Sequence, residues 1–324
     1  MSRVDLRNLA IPILQAPIGS VATVDLAAAV SNAGGMGSLA LTWTLPDTAA
    51  RLVQCLHSRT RAPFFVNFVL AFAPVAFDAV IDAGAPVITL SWGHAPHLIQ
   101  RAHRQGVTVG VQVGTAEDAA RAIGDGADFV ICQGAEAGGH VQSAFELATL
   151  LPEVVRHAGS VPVVATGGLA DGAGIRWAIG QGATAAMLGT RFVATAESAA
   201  HPSYKNAIVR AKGANTTLTY CFDGGWPGAA HRVIRNRTLE RWEAAGSPPH
   251  GLRPGEGDIV ATDPARGEIW RYDDMPAMQS MTGEVMDCCL FAGLGVDRIL
   301  DTPSARELVE HLWNECRQEA YSKS

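Results

Sequence analysis

Short, unbroken runs of apolar and β-branched residues recur along the first two-thirds of the chain. They are IPILQ (11–15), MGSLA (36–40), APFFVNFV (62–69), PVITLSW (86–92), VTVGVQV (107–113), DFVICQ (128–133), VPVVAT (161–166) and TAAMLG (184–189). Most of them are continuous apolar runs rather than alternations of apolar and polar positions. A strand that is apolar on both sides is covered on both faces, as in a parallel sheet flanked by helices. The intervening segments have helical spacing and Ala-rich faces, for example 24–34, 45–59, 116–126 and 145–159. Several end in Gly or Asn-Ala-Gly, the usual helix stops. Asp47 and Thr115 are the expected N-caps of two of them.

Eight βα units in about 200 residues predict an α/β fold of the (β/α)8 TIM-barrel type. The competing architecture is a doubly wound open sheet. It would place a nucleotide fingerprint after the first strand, where the chain instead reads QAPIGS. A G-x-G-x-x-A at Gly35, Gly37 and Ala40 follows a helix and precedes a strand, the wrong order for a dinucleotide loop. Beyond the eighth strand the pattern changes. SYKNAIVRA (203–211) predicts a helix, and residues 213–273 are rich in Gly, Pro, Arg and Trp with little apolar periodicity. The barrel is therefore expected over 1–212 and 274–324. Residues 213–273 are expected as an inserted lid over the substrate, against the alternative of a solvated excursion. Helices are expected again at 281–294 and 304–320.

Composition narrows the functional classes. With 324 residues, 48% hydrophobic and 17% charged, the chain is long and apolar enough for a large core. A net charge of −6 gives no basic bias toward nucleic acid or anionic membrane. No apolar run approaches the length of a membrane span, and MSRVDLRNLAIPI lacks the apolar core of a signal peptide. The six cysteines (55, 132, 221, 288, 289, 316) show no CxxC spacing. Reduced thiols, a cytoplasmic location and no metal site are expected. His94 and His97 sit three apart with no third ligand in view. The oligomeric state stays open, a homodimer being one option.

Barrel active sites lie at the C-terminal ends of the strands, with a recurrent phosphate site in the loops after strands seven and eight. Here those loops read ATGGLADG (165–172) and LGTRF (188–192), so Thr166, Gly167, Gly168, Gly189 and Thr190 are candidates to cradle a phosphate through backbone N–H groups. The plain alternative is that these glycines only turn the chain. Pro17, Ile18 and Gly19 end the first strand. Asn67, Gln112 and Gln133 put neutral amides at three other strand ends, where they either meet a heteroaromatic edge or serve as satisfied core amides. Strand six runs on into QGAEAGGH (133–140). Adjacent glycines are costly to order, and a close approach of the backbone to a ligand would offset that cost. Gly138 and Gly139 would make that approach, and His140 would face the substrate. Glu136 reads as a loop anchor. The alternative for His140 is a buried histidine bonded to a carbonyl.

PILQAPIG (12–19), VNFV (66–69), QGAEAGGH (133–140), LLPEVV (150–155), PVVATGGLADG (162–172) and LGTRFVATAESAAHPSYKNAI (188–208) resemble the nitronate monooxygenase family, FMN-dependent barrel enzymes. The resemblance runs along most of the chain. It implies FMN as cofactor, its phosphate at Gly167, Gly168, Gly189 and Thr190. It implies the flavin ring near Pro17, Ile18, Gly19, Asn67, Gln112, Gln133, Gly138 and Gly139, and His140 as the catalytic base. The implied reaction is oxidation of an alkyl nitronate or nitroalkane with O2. Two features depart from the family pattern: HVQSAF follows the Gly-Gly pair, and the Gly/Trp-rich DGGWPGAAHRV suggests a subgroup with its own substrate. Two other functions fit the same pattern, an FMN-dependent enoyl-ACP reductase and a non-catalytic sensor of FMN or another phosphate ligand. The reductase would need NAD(P)H and a basic dock for a carrier protein. Arg232, Arg235, Arg237 and Arg241 could supply the dock, although their alternation with Glu240 and Glu243 reads as a solvated helix face.

Overall fold

The structure is a computed structural model and describes residues 3–318. Six of the expected apolar runs form strands in chain order: β1 (Ile13–Gln15), β2 (Gly37–Ala40), β3 (Phe64–Val69), β4 (Val87–Ser91), β5 (Thr108–Val113) and β6 (Phe129–Gln133). A two-residue strand, β7 (Gly139–His140), lies outside this sheet. β8 (Val163–Thr166) and β9 (Ala185–Leu188) complete the eight. All neighbours are parallel, in the order β1-β9-β8-β6-β5-β4-β3-β2. The Leu14–Met36 bridge joins β1 to β2 and closes the ring, with Gln15 N to Met36 O at 3.0 Å. This is the expected TIM barrel.

Inside the barrel Leu14, Phe65, Val87, Phe129, Ile131, Val164 and Met187 pack together, and Leu6 joins them. Outside, a larger apolar layer joins the strands to α1 (Val24–Asn32), α2 (Pro46–Arg59), α3 (Phe77–Asp82), α4 (Pro96–Arg104), α5 (Ala116–Gly124) and α6 (Leu147–Ala158). Thr115 caps α5 as expected, accepting a hydrogen bond from Asp118 N. Asp47 does not cap α2. That helix starts two residues earlier than an Asp47 cap implies, because Pro46 takes its first position, where a missing N–H costs nothing, and Leu45 is the cap.

After α7 (Gly172–Gly180) and the short α8 (Thr190–Val193) the chain leaves the barrel. It returns at α11 (Ala305–Gln318), which packs through Leu308, Val309, Leu312 and Cys316 against Ile175 of α7 and Leu26 and Val30 of α1. The helix that follows the eighth strand is thus displaced by a long excursion. The last two residues expected in it, 319 and 320, lie outside the described residues.

That excursion is more structured than its composition suggests. It holds α9 (Pro202–Arg210), β10 (Thr216–Thr219), β11 (His231–Ile234), α10 (Arg237–Ala244), β12 (Ile259–Asp263) and β13 (Gly267–Trp270). It also continues past residue 273, because β12 pairs with β14 (Thr282–Gly283) and Val233 of β11 bridges to Phe291. Residues 281–294 are therefore not a helix. Their backbone bonds go sideways, Ile234 N to Leu290 O at 2.8 Å and Ala292 N to Arg232 O at 3.1 Å, and sheet partners outweigh local helical spacing. The apolar positions that read as loop are a small core of Cys221, Phe222, Val233, Leu239, Tyr272 and Cys289. Buried Arg253 ties it together, pairing with Asp223 and Glu256 and lying over the Tyr272 ring at 4.5 Å.

Candidate active site

Parallel strands put every strand end at one mouth, so most candidate residues meet there. The register pairs Gln133 with Thr166 and Thr166 with Met187, so the loops after β6, β8 and β9 stand side by side. Gly167 and Gly168 have φ of +122° and +67°, conformations that a side chain would strain. Ile18 lies beside Gly189: a Cβ added there would meet Ile18 Cγ2 at 3.7 Å. Among the described residues, the backbone N–H groups of Gly167, Gly168, Gly189 and Thr190 have no acceptor. Side by side, these four free donors fit an anion such as a phosphate. Around Gly19, at φ +58°, a Cβ would meet nothing within 4 Å, so the end of β1, with Pro17 and Ile18, borders open space. Thr166 turns inward, its hydroxyl donating to Met187 O.

The three amides divide. Asn67 accepts from the Thr89 hydroxyl at 2.9 Å and, among the described residues, keeps its amide NH2 free. Gln112 donates to Gln142 Oε1 at 3.3 Å. Gln133 is fully engaged with its own loop, donating to His140 O at 3.2 Å and accepting from Gln142 N at 2.7 Å.

QGAEAGGH is held from several sides. The Glu136 carboxylate accepts from Leu147 N at the start of α6, so it is the anchor the sequence suggested. Arg232 donates to Ala135 O at 3.0 Å, and its strand β11 pairs with Gly139 and His140. The close approach that Gly138 permits is to protein. A Cβ there would run into the backbone of Ala292 and Gly293. Gly139 is required by its φ of +75°. Leu294 N donates to Glu136 O, and Gly293 N to the Thr190 hydroxyl. The AGLG segment (292–295) therefore ties the His140 loop to the β9 loop, a role its sequence signalled only through two closely spaced glycines.

His140 ends up among rings. Its centroid is 4.5 Å from Trp226, 5.4 Å from His231, 5.5 Å from Phe291 and 6.4 Å from Trp92. Its Nε2 is buried and has no hydrogen-bond partner among the described residues. Burial, helped by neighbouring His231, pushes the imidazole down to about 3, so His140 is neutral at pH 7. His231 is fixed differently. Its Nδ1 lies 3.0 Å from Ala229 O, and its Nε2 accepts from Phe222 N at 3.1 Å. Both nitrogens are used, which sets a neutral Nδ1–H tautomer. His231 is thus fixed through both ring nitrogens, whereas His140 keeps Nε2 without a partner among the described residues. The alternative reading, a His140 ring bonded to a carbonyl, is not met at Nε2.

Sequence reasoning missed Trp92, Trp226, His231 and Phe291. Trp92 directly follows β4 with φ +58°, unusual for a bulky residue and a common mark of a functional position. The strand-end rule could have found it, whereas the others come from the excursion. His94 bonds Asp125 at 2.9 Å, away from His140. The four arginines do not form one helix face. Arg232 points into the His140 loop, Arg235 pairs with Glu243, Arg237 with Glu284 and Asp287, and Arg241 with Asp258. Buried thiols are raised toward about 12 at Cys132 and Cys288, and the described cysteines are unpaired. No helix among the described residues is long and apolar enough to cross a membrane.

Comparison with known proteins places this site in a lineage. A model of the nitronate monooxygenase family matches residues 2–79 and 74–315. A nitronate monooxygenase of Pseudomonas aeruginosa is 33% identical over 74% of this chain and 80% of its own. A Mycobacterium tuberculosis protein named as a hydroxy-methyl-oxo-octahydroindene-carboxyl-CoA dehydrogenase is 36% identical over 72% of this chain and 65% of its own. Among solved structures, a nitroalkane oxidase of Streptomyces ansochromogenes superposes with a TM-score of 0.79 at 30% identity, covering 98% of this chain and 99% of that one. FabK of Thermotoga maritima reaches the same TM-score of 0.79 at 27% identity, covering 100% and 99%. With a family match along nearly its whole length and the barrel to go with it, the chain belongs to the nitronate monooxygenase family of flavoprotein oxidoreductases.

Proposed function

We propose that this enzyme binds FMN at the mouth of its barrel and oxidises alkyl nitronates, and the nitroalkanes that yield them, with O2. The observation that carries the reading is the unpartnered Nε2 of His140, buried among rings beside a row of free backbone donors. The N–H groups of Gly167, Gly168, Gly189 and Thr190 would hold the phosphate, with the Thr190 hydroxyl free to donate as well. Pro17, Ile18, Gly19 and the free amide of Asn67 would border the ring system. Gln112, Gln133, Gly138 and Gly139 act at one remove, by shaping and holding the loop that presents His140. FMN, when bound, supplies the electron acceptor and the centre that reacts with O2.

The protein's own work is to move one proton. A neutral nitroalkane carries an acidic Cα–H, and His140 is neutral with a free ring nitrogen to receive it. Burial makes His140 a weak base when the site is empty of charge. The nitronate formed beside it is an anion, and an anion in contact favours the imidazolium and raises its pKa. Base strength thus appears where the product charge develops. Trp226, Trp92 and Phe291 keep water from the ring, and the fixed His231 adds no competing proton. We read the excursion that brings Trp226 and His231 as the cover of the substrate site.

The enoyl reductase reading shares the barrel, but each of the four arginines expected to dock a carrier protein already has an acceptor in the fold. Purified protein should be yellow and release FMN on denaturation, and it should consume O2 with alkyl nitronates. Colourless protein that takes up no added FMN, or holoenzyme inert to every nitronate, would refute the proposal.

A further inference from the structure

The aromatic contacts of His140 continue outward. Trp226 lies 4.5 Å from His140 and 5.2 Å from Phe72, and Phe72 lies 5.1 Å from Trp43. Trp92 flanks the inner end, 4.6 Å from Trp226. Trp43 is 59% exposed, so an unbroken line of rings runs from solvent to the free Nε2. Its members come from separate segments: Trp43 precedes α2, Phe72 precedes α3, Trp92 follows β4, and Trp226 sits in the Gly-rich DGGWPG turn of the excursion. Nothing in the packing of the barrel requires an exposed tryptophan at this mouth. The rings themselves carry no charge, and the charges set beside them are acidic. The Asp273 and Asp274 side chains stand against Gly224 and Gly225, next to Trp226. Arg232 donates to Ala135 O in the loop below and keeps its Nε without a partner among the described residues.

We propose that this ring path is the seat of the substrate's tail, and that the enzyme acts on nitro compounds bearing a long alkyl or aryl group rather than on short or carboxylated ones. The reading rests on the nitronate chemistry proposed above. A flat, apolar wall of rings gains by covering methylenes and aryl faces. A carboxylated tail would lose its hydration against these rings and meet two aspartates.

The test measures O2 uptake by the holoenzyme with the nitronates of nitroethane, nitropropane, nitrobutane, nitrohexane and 2-phenylnitroethane, and with propionate 3-nitronate. kcat/KM should rise about three- to fourfold for each added methylene, the worth of one buried CH2, and propionate 3-nitronate should fall below nitropropane. A flat or falling series, or propionate 3-nitronate in the lead, overturns the proposal. Trp43→Ala and Phe72→Ala should each cost the hexyl substrate about tenfold more than the ethyl one, and an unchanged slope in both variants also overturns it. The tail site is separable from the chemistry through calorimetric binding of benzyl alcohol, 3-phenylpropanol and 5-phenylpentanol. If affinity climbs with length while no nitronate is turned over, the tail site stands and the nitronate reading falls. If these alcohols do not bind at all, the tail site falls.

Discussion

Replacing His140 by alanine separates a base from a positioning group. In the fold the ring contributes packing against Trp226, His231 and Phe291 but, among the described residues, no hydrogen bond from Nε2. Truncation leaves a small void, worth about 1–3 kcal/mol for a ring of this size. It also removes a buried polar atom with no partner, which returns about 1–2 kcal/mol. The two nearly cancel, so urea unfolding should shift little and FMN content should stay near that of the parent. Turnover of a neutral nitroalkane should fall by ~10²–10⁴, the usual worth of a positioned general base. A preformed nitronate has already lost its proton and should slow only about tenfold, through lost positioning. Oxygen uptake on nitrohexane and on its separately prepared nitronate reads both. Equal losses on the two would refute the base assignment. Loss of FMN or of soluble protein would show that the ring holds the fold together.

Acid stability should carry the mark of the same residue. His140 is held at about 3 against an ordinary 6.5, so as pH falls the unfolded chain binds the proton first. Its contribution is whole above pH 6.5 and lost progressively down to about pH 3, with a ceiling of about 5 kcal/mol; His140→Phe should flatten that part of the stability–pH curve in urea titrations, and an unchanged curve would contradict the burial argument. Gln133→Leu removes both bonds that hold the His140 loop and leaves His140 O and Gln142 N unpaired, so stability should fall by about 2–4 kcal/mol and kcat should drop with FMN still bound; full kcat would mean that the loop is held without it. Tyr204→Phe deletes a buried hydroxyl that donates to Phe291 O, behind the wall of the site, and should cost about 1–2 kcal/mol in denaturant unfolding. NADH should reduce the flavin slowly or not at all, and rapid bleaching coupled to reduction of an enoyl thioester would favour the reductase reading.

The barrel was legible because buried parallel strands carry their own signature. FFVNFV and VVAT are apolar on both faces, and eight such runs alternating with helices suit a barrel once the first strand lacks the nucleotide fingerprint of a doubly wound sheet. The strand-end rule then drew attention to Gly167, Gly168, Gly189 and Thr190, and the structure does bring their free N–H groups together. The same rule misjudged what Gly138 is for. Local sequence shows that a backbone must come close, but not what it comes close to, and the partner, Ala292–Gly293, is more than 150 residues away along the chain. Residues 281–294 failed for a related reason. Their spacing suits a helix, yet β11 and β12 offer sheet partners that no local window contains.

The division between legible and hidden residues follows the division of labour in the site. Donors suited to a phosphate belong to the barrel itself, where they sit in two pairs after the neighbouring strands β8 and β9. The surroundings of His140 belong to the excursion: Trp226, His231 and Phe291 enclose its ring, and Arg232 holds its loop from β11. Proteins named for nitronate oxidation, for CoA-thioester oxidation and as FabK share this barrel at comparable similarity, so the barrel alone does not choose among their reactions. The choice lies with the groups around His140, and Trp226, His231 and Phe291 among them are supplied between residues 213 and 295. His140 belongs to both halves. Its chain position comes from a barrel loop, while its neutrality and its free Nε2 come from the rings laid over it. A graft of the excursion from a relative with a different reaction should therefore leave FMN binding in place and change which substrate reaches His140. Loss of FMN from such a graft would mean that the two halves are not separable in this way.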